Sequence, residues 1–589
     1  MANTQITSER IDDLPLLIQW LLGMHIDKII DAVVKAPHGN RQGLSYGQLA
    51  VVFLAYILTE CNHFLSPVRD WVTKHQHALT LALGWPIQAD DFTDDRLEDL
   101  LDAVGQEAVG EALEEQLGQH LIRAYALPTD TARIDTTTVS VYHQPKEPSL
   151  LDYGHSKDHR PDLRQFKEVL STLDPVGVPL CSATVAGHCA DDPLYLPIWR
   201  RMVKLIGHPD FLVVGDCKLA SLENRAQIQD GQGYYLAPLP MTGDTPEDLR
   251  RWVLNPPTPP CAIYLPDEPQ PVGQGFEVAI AQTWPQPQPA NETTAANETI
   301  ATKETMAAPA ITWTERTLVV CSDKHAHRQQ HALAERLRRA EQALAKQKPA
   351  PDADLAQLTN QSQALLNRYA VAAYLQVTWT AHTTETKHYL KRGRHGPNSP
   401  YEMVRNTTWQ VTATRLTEAI ASFNQLAGWR LYVTNAPAAR LDIQTAVQSY
   451  REEWQPERGF HRLKGAALAI RPLLLRSDQR ICGLLRILVI ALRALTLLEF
   501  VARRQLAQQP TPLQGLYAGN PKRATQQPTA ERLLQAFDDI TWYQMSDGET
   551  TWQQVTPLSH LQRRILDLLG IPETVYTRLA QPILASPPL

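Results

Sequence analysis

The sequence predicts a mixed α/β protein of several domains: a mixed sheet flanked by helices, interrupted by a large inserted α+β domain and preceded by an all-helical N-terminal domain. Three observations carry that prediction. Helix-patterned segments fill the first 125 residues. Strand-patterned and helix-patterned segments then alternate from Thr131 to Pro240. A sharp change of composition follows at 238–309, and a mainly helical stretch begins near residue 441. The chain has 589 residues, which at about 100–200 residues per domain suggests roughly three to five domains.

Composition narrows the function classes. Hydrophobic residues make up 43% and charged residues 20%, so a large core is available and global disorder is excluded. The formal charge is −7, from 56 Lys and Arg against 63 Asp and Glu. A wholly basic nucleic-acid coat is therefore excluded, and any DNA contact must come from local basic patches. Seven cysteines are scattered without a C-x-x-C pair, which disfavours a disulfide scaffold or a zinc ribbon. The start, MANTQITSERIDD, lacks the basic-then-apolar layout of a secretory signal. The apolar run 483–504 is interrupted by Arg486, Arg493 and Glu499, so it reads as a buried amphipathic helix rather than a membrane span.

Residues 1–125 read as helical throughout, with Ser45 a candidate N-cap after a Gly/Asn loop at 38–43. The segment 126–240 reads as a sheet unit. ARIDTTTVSVYH is β-branched and alternating, and VLSTLDPVGVPLCSATVAG reads as two strands around a turn. LYLPIWRRMVKLIG is a helix, FLVVGD a short buried strand, LASLENRAQIQDG a helix and GYYLAPLP a strand. The segment 241–435 reads as an inserted domain. Residues 238–309 hold 14 of the chain's 43 prolines, and 284–310 reads as a flexible or extended linker. Beyond it lie a strand (RTLVVCSD), a long polar helix, a second helix and three strand-like pieces. Within 436–510, residues 441–504 read as helical, and 511–589 form a Pro-broken tail with terminal helices.

Three carboxylates stand out. Asp135 lies inside the strand RIDTTTVSVYH, Asp216 ends FLVVGD, and Glu457 sits in the helical stretch YREEWQPERGFHRLKG. An acid on a strand or at its end needs a partner, and a hard divalent cation satisfies clustered carboxylates well. Two Mg²⁺ ions about 3.5–4 Å apart suit phosphodiester chemistry. For either Asp alone, a capping, turn or ion-pair role is the simpler reading. Tyr450, Trp454, Glu457, His461 and Lys464 are spaced 4, 3, 4 and 3, which puts them on one face of a helix. Pro456 should kink that helix or start a new first turn at 456–459.

These residues resemble a known family, the insertion-sequence transposases of the DDE class, which have an RNase H-like catalytic domain. The resemblance is to the insertion-sequence-four superfamily with its Tyr–Arg–Glu–Lys signature. Here the signature reads Tyr450, then Glu453 where Arg is expected, then Glu457 and Lys464. Arg451 is nearby, but a two-residue offset turns it about 200° around a regular helix. YGHSKDHRPDLRQ (153–165), GHCADDP (187–193), GDCKLASLEN (215–224) and GYYLAPLP (233–240) also look like that branch. The likeness covers about 130–505.

The resemblance implies an RNase H-like core in two parts, 126–240 and 436–510, split by the inserted domain. It implies that Asp135, Asp216 and Glu457 bind two Mg²⁺, with Mn²⁺ able to substitute. The implied activity is phosphodiester hydrolysis at transposon ends followed by strand transfer into target DNA. The implied partners are inverted-repeat ends, target DNA and a second copy of the chain in a synaptic complex, with no membrane. The implied location is prokaryotic cytoplasm, in association with the nucleoid. The first 125 residues are a candidate end-binding region, although no helix-turn-helix spacing stands out. Two alternatives stay open: a related metal-dependent nuclease that cuts without joining, and a catalytically lapsed DNA-binding derivative.

Candidate DNA contacts are local. Tyr450 and Lys464 are placed to grip a phosphate, with Arg451 and His461 beside them. Lys157 and Arg160 lie in SKDHRP, and Lys391, Arg392 and Arg394 in the glycine-containing loop KHYLKRGRHG. From 451 to 504, 11 Lys and Arg face 5 acids, which favours a phosphate-facing surface over ordinary helix-surface charge. His155 and His159 are four apart, but no third ligand pattern accompanies them.

Overall fold

The computed structural model describes residues 5–35, 43–142, 149–175, 177–266, 268–285, 310–350, 353–546 and 551–580. Most of the expected 284–310 linker and the loop at 38–43 lie outside the described residues. The protein is mixed α/β, and its chain forms two compact units. The first comprises 1–237, 283–313 and 449–589. The second comprises 238–282 and 314–448.

The first unit opens with strand β1 (Gln5–Arg10). Helices follow: α1 (Leu14–Gly23), α2 (Ile26–Val33), α3 (Tyr46–Glu60), α4 (Val68–Lys74), α5 (Gln76–Leu83), α6 (Asp94–Gly105) and α7 (Glu107–Tyr125). Ser45 caps α3 through a reciprocal box. Its Oγ accepts from Gln48 N at 3.2 Å, while Ser45 N donates to Gln48 Oε1 at 3.0 Å. Then come β2 (Thr131–Val141), β3 (Arg164–Leu173), β4 (Val178–Ala186), α8 (Tyr195–Ile206), β5 (Leu212–Gly215), α9 (Leu222–Asp230) and β6 (Tyr234–Pro238). These strands lie in the order β4-β3-β2-β5-β6. β2–β3 and β3–β4 pair antiparallel, whereas β2–β5 and β5–β6 pair parallel. Among the antiparallel strands, four residues separate β3 from β4 and 22 separate β2 from β3, whereas each parallel step is bridged by a helix, α8 or α9.

The second unit contains α10 (Thr245–Leu254), β7 (Cys261–Ile263), β8 (Gly273–Trp284) and β9 (Ile311–Ser322). After them come α11 (Asp323–Ala345), α12 (Leu355–Arg368), β10 (Leu375–Tyr389), β11 (Tyr401–Arg415), α13 (Thr417–Leu426) and β12 (Trp429–Thr434). Its strands run β12-β9-β8-β7, over a core of Leu249, Trp252, Phe276, Val319 and Leu431. β10 and β11 form a separate long hairpin. α11 and α12 pack through Leu333, Leu337, Leu344 and Leu366. Helix α14 (Ile443–Arg451) begins here and ends in the first unit.

The remainder of the first unit is α15 (Trp454–Lys464), α16 (Asp478–Ala507), the short pair β13 (Leu513–Gln514) and β14 (Ala524–Thr525), α17 (Ala530–Gln535), β15 (Thr541–Ser546), β16 (Thr551–Val555) and α18 (His560–Leu569). α16 is its hub, packing against α3, α6, α15, α17, α18 and β4. It is long and apolar enough to cross a membrane, but 89% of its apolar window is buried inside the protein. Gly483 permits its closest approach to α6, since a Cβ there would run into the Leu101 carbonyl.

Two expectations need correction. Residues 1–125 are not all helical: β1 pairs antiparallel with β15, so the two ends of the chain close one sheet with β16. The tail 511–589 accordingly carries strands as well as helices. QITSER has little apolar alternation, and its extended form is set by a partner more than 500 residues away.

Burial also makes stability sensitive to pH. His63 is 4% exposed, its Nδ1 has no partner, and burial depresses its imidazole to about 4. In the unfolded chain the value is about 6.5. The unfolded state therefore binds more protons between these values. The stability contributed by the neutral ring is complete above about 6.5 and is lost as pH falls toward 4, by about 2 kcal/mol at pH 5. Asp13, raised to about 7 chiefly by burial, acts oppositely: its proton favours the fold as pH falls below 7. The comparison that isolates His63 is His63→Gln against the wild type. The urea midpoint of the variant should lose that acid-dependent decline between pH 7 and pH 5.

Candidate active site

The sheet brings the first two acids together by register. Ile134 stands opposite Gly215 in the parallel β2–β5 ladder, so Asp135 and Asp216 occupy the next positions on adjacent chains. Neighbouring strands lie about 4.8 Å apart, so the carboxylates feel each other. Asp135 is half-buried and accepts from the Thr136 N–H at 2.7 Å. Burial pushes its carboxyl above the usual range. The Lys157 ammonium and the Thr136 N–H oppose that push, and Asp216 and Glu457 add to it.

Asp216 is held by two donors. Tyr195 on α8 donates its hydroxyl to Oδ1 at 2.6 Å, and Lys218 N donates at 2.9 Å. Burial, followed by the charges of Asp216 and Asp135, holds the Tyr195 phenol well above its ordinary range, so it remains a donor.

The helical stretch that carries Glu457 is broken. α14 ends at Arg451, and α15 starts at Trp454 with Glu453 as its N-cap. Pro456 falls in the first turn of α15, where its missing N–H costs no helical bond. Tyr450 therefore belongs to a different helix from Glu457, His461 and Lys464, and the expected single face does not exist. Arg133 fixes the break from below. It is 1% exposed, donates to both Asp174 oxygens at 2.7 Å and to the Ser449 carbonyl at 2.8 Å, and lies 3.6 Å from Glu452. α15 in turn packs on β2 and β3, which sets Glu457 close enough to act on the Asp135 carboxyl.

Glu453 is a fourth member that sequence reasoning did not place in the cluster. It is half-buried, and its carboxyl is raised first by burial. A hydrogen bond with Tyr450 opposes the rise, while Asp135, Asp216 and Glu457 add to it. The available signal was its four-residue spacing from Glu457. Tyr195 carried no signal of its own.

Lys157, although exposed, reaches these acids. Its Nζ donates to Thr136 O at 2.5 Å and to Thr136 Oγ1 at 2.6 Å, and lies 3.6 Å from Asp135 and 3.9 Å from Asp191. Asp191 also accepts from Lys167 at 2.5 Å. Lys464 pairs with Asp158 at 2.9 Å. Burial lowers its ammonium below the ordinary range, against the upward pull of Asp158. Arg160 is exposed and bidentate with Asp162 at 2.9 and 2.7 Å. Arg451 and His461 are exposed. Lys391, Arg392 and Arg394 sit at the exposed tip of the β10–β11 hairpin, in the second unit.

Much of the basic excess over 451–504 is engaged inside the protein, while Arg451, Arg471 and Arg476 are exposed. Arg458, Arg462 and Arg503 converge on the fully buried Glu499. Arg480 pairs with Glu98 and Asp102, while Arg486, Arg493 and Arg504 donate to main-chain carbonyls. Among the described residues, no set of three or more His, Cys, Asp and Glu side chains is closed around a point that could hold a metal ion. The four acids interact by charge, not through a completed ligand shell. A scan against protein-family models gave no match, and a comparison with curated proteins gave none.

Proposed function

We propose that the chain is a divalent-metal-dependent DNA transposase of the DDE class, with an RNase H-like core built from β2–β6 and their helices. One observation carries this reading: strand register sets Asp135 and Asp216 at neighbouring positions, and the charge of Glu457, on α15, helps raise the Asp135 carboxyl. The strand order, antiparallel on one side of β2 and parallel on the other, supports the RNase H-like part.

The donor chemistry suits magnesium. The acids are hard oxygen donors; Asp135 and Asp216 are half-buried, Glu457 is exposed, and the Lys157 ammonium lies 3.6 Å from Asp135. Asp135, Asp216 and Glu457 would hold two Mg²⁺, with Mn²⁺ able to substitute. When bound, such ions supply charge neutralisation and water activation toward a phosphodiester. The chain's own groups do the positioning. Tyr195 and the Lys218 N–H fix the Asp216 carboxylate, and Lys157 offsets charge at Asp135. Lys464, released from Asp158, and Tyr450 would grip the flanking phosphate. The proposed partners are the inverted-repeat ends, target DNA and a second copy of the chain.

The test is a duplex carrying the element's end, incubated with the full chain and Mg²⁺ or EDTA. Mg²⁺-dependent 3′-end nicking, then joining of pre-nicked ends to a second duplex, is expected. Nicking without joining would favour the nuclease alternative. Glu453 where the signature carries Arg favours, as a second reading, a catalytically lapsed DNA-binding derivative. DNA binding with no cleavage in Mg²⁺ or Mn²⁺ would establish it.

The hairpin tip is proposed to touch DNA backbone. Changing Lys391, Arg392 and Arg394 to Ala should reduce the salt dependence of DNA binding by about one log–log unit for each phosphate no longer neutralised. An unchanged salt slope would remove the tip from the interface.

A further inference from the structure

We infer that the outward face of α11, in the second unit, is a DNA-binding surface of its own, which holds duplex phosphates without metal ions and without regard to base sequence. DNA as the occupant rests on the reading given above. The surface itself stands on the geometry and charge of α11.

Spacing builds the face. α11 runs Asp323–Ala345 and buries Leu333, Leu337, Ala340 and Leu344, which pack with Leu366 of α12. At about 100° per residue those four point one way. Lys324, Arg328, His331, Arg338, Arg339 and Lys346 fall within an arc of about 100° on the opposite side. All six are exposed. From Lys324 to Lys346 the stripe is about 33 Å long at 1.5 Å per residue, close to one turn of B-DNA.

Charge selects the partner. An ordinary solvated helix face mixes both signs along its turns. Here Glu335 is taken by Arg338 at 2.7 Å, and Glu341 is drawn off the face by Arg415 of β11 at 2.7 Å. Lys324, Arg328, Arg339 and Lys346 are left in excess. Helix stability does not account for them. Lys324 lies in the first turn, at the positive end of the helix dipole, and Arg328 is a like charge four residues on. Solubility does not account for them either, because α12 carries Arg368 as its one charged residue. The second unit holds 19 Lys and Arg against 16 Asp and Glu, in a chain whose formal charge is −7. A polyanion is therefore attracted to this unit. Duplex DNA carries one charge about every 1.7 Å along its axis, so a stripe of this length faces several phosphates.

The experiment uses the full chain in EDTA, which silences metal-dependent contacts. Binding of a random-sequence duplex is followed by fluorescence anisotropy from about 50 to 200 mM KCl. One variant combines Lys324→Ala, Arg328→Ala, Arg339→Ala and Lys346→Ala. A control combines Lys522→Ala, Arg523→Ala, Arg532→Ala and Arg563→Ala, which removes four exposed cations of the first unit. Thermal melts verify that both are folded. The α11 variant should lose about 0.9 of log–log salt slope for each phosphate contact removed and at least about tenfold in affinity at the lowest salt, while the control stays within about twofold of wild type. An unchanged slope, or an equal loss in the control, overturns the inference. Light scattering tests the rival occupant: a wild-type dimer that the α11 variant alone dissociates, with DNA binding unchanged, makes a second copy the partner and overturns it too. Loss of slope in the α11 variant of a chain that nicks no DNA in Mg²⁺ upholds this surface and counts against the transposase reading.

Discussion

Replacing Asp135 with Ala should reduce end nicking by at least about a thousandfold, because a reacting-centre charge is lost. The fold should survive. The Asp135 carboxyl is held above its ordinary range by burial and by the neighbouring acids, so its charge opposes folding at neutral pH. The melting temperature of Asp135→Asn should therefore equal or exceed that of the wild type while nicking is lost. Opposite movement of activity and stability is the mark of a residue kept for chemistry. A variant that melts earlier and retains nicking would show that Asp135 serves the fold alone. Asp216→Ala should lose activity similarly, but it also strands the buried Tyr195 hydroxyl, so its stability should fall below that of Asp135→Ala.

The largest stability effect is expected at Glu499. This carboxylate is fully buried in α16. It pairs with Arg462 at 2.5 Å, with Arg458 at 2.7 Å and with Arg503, and accepts from Ala530 N at 3.3 Å. Arg462 continues the chain of charge to Glu531 at 2.7 Å. Glu499→Ala would leave three guanidinium groups, Arg462 buried and Arg458 and Arg503 half-buried, facing one another with one acid, Glu531, nearby. Breaking a buried network in this way costs about 3–5 kcal/mol. The lower urea midpoint of the variant measures it, and a change under about 1 kcal/mol would show that solvent reaches the arginines. Arg458 and Arg462 are on α15, so loosening them should also displace Glu457 and lower nicking.

Some of this was legible in the residues. β2 and β5 announced themselves by β-branched alternation and a short apolar run, and each carried its acid in view. Pro456 marked a helix start, and the break at 452–453 follows from it. The resemblance implied that Asp135 and Asp216 meet, but the residues alone did not, because register between distant strands is fixed by packing. Several arginines of 451–504 turn inward for a related reason. Their number is visible in sequence, but their inward direction depends on Glu499, Glu98 and Asp102. Glu453 was seen as a departure from the signature, and its company of acids emerged only when the turn between α14 and α15 placed it.

The most direct measurement is anomalous X-ray scattering from crystals of the full chain soaked in millimolar Mn²⁺. Peaks about 2.1 Å from carboxylate oxygens of Asp135, Asp216 and Glu457 are expected. Diffraction that shows Mn²⁺ elsewhere on the chain, with those carboxylates unliganded, would contradict the account.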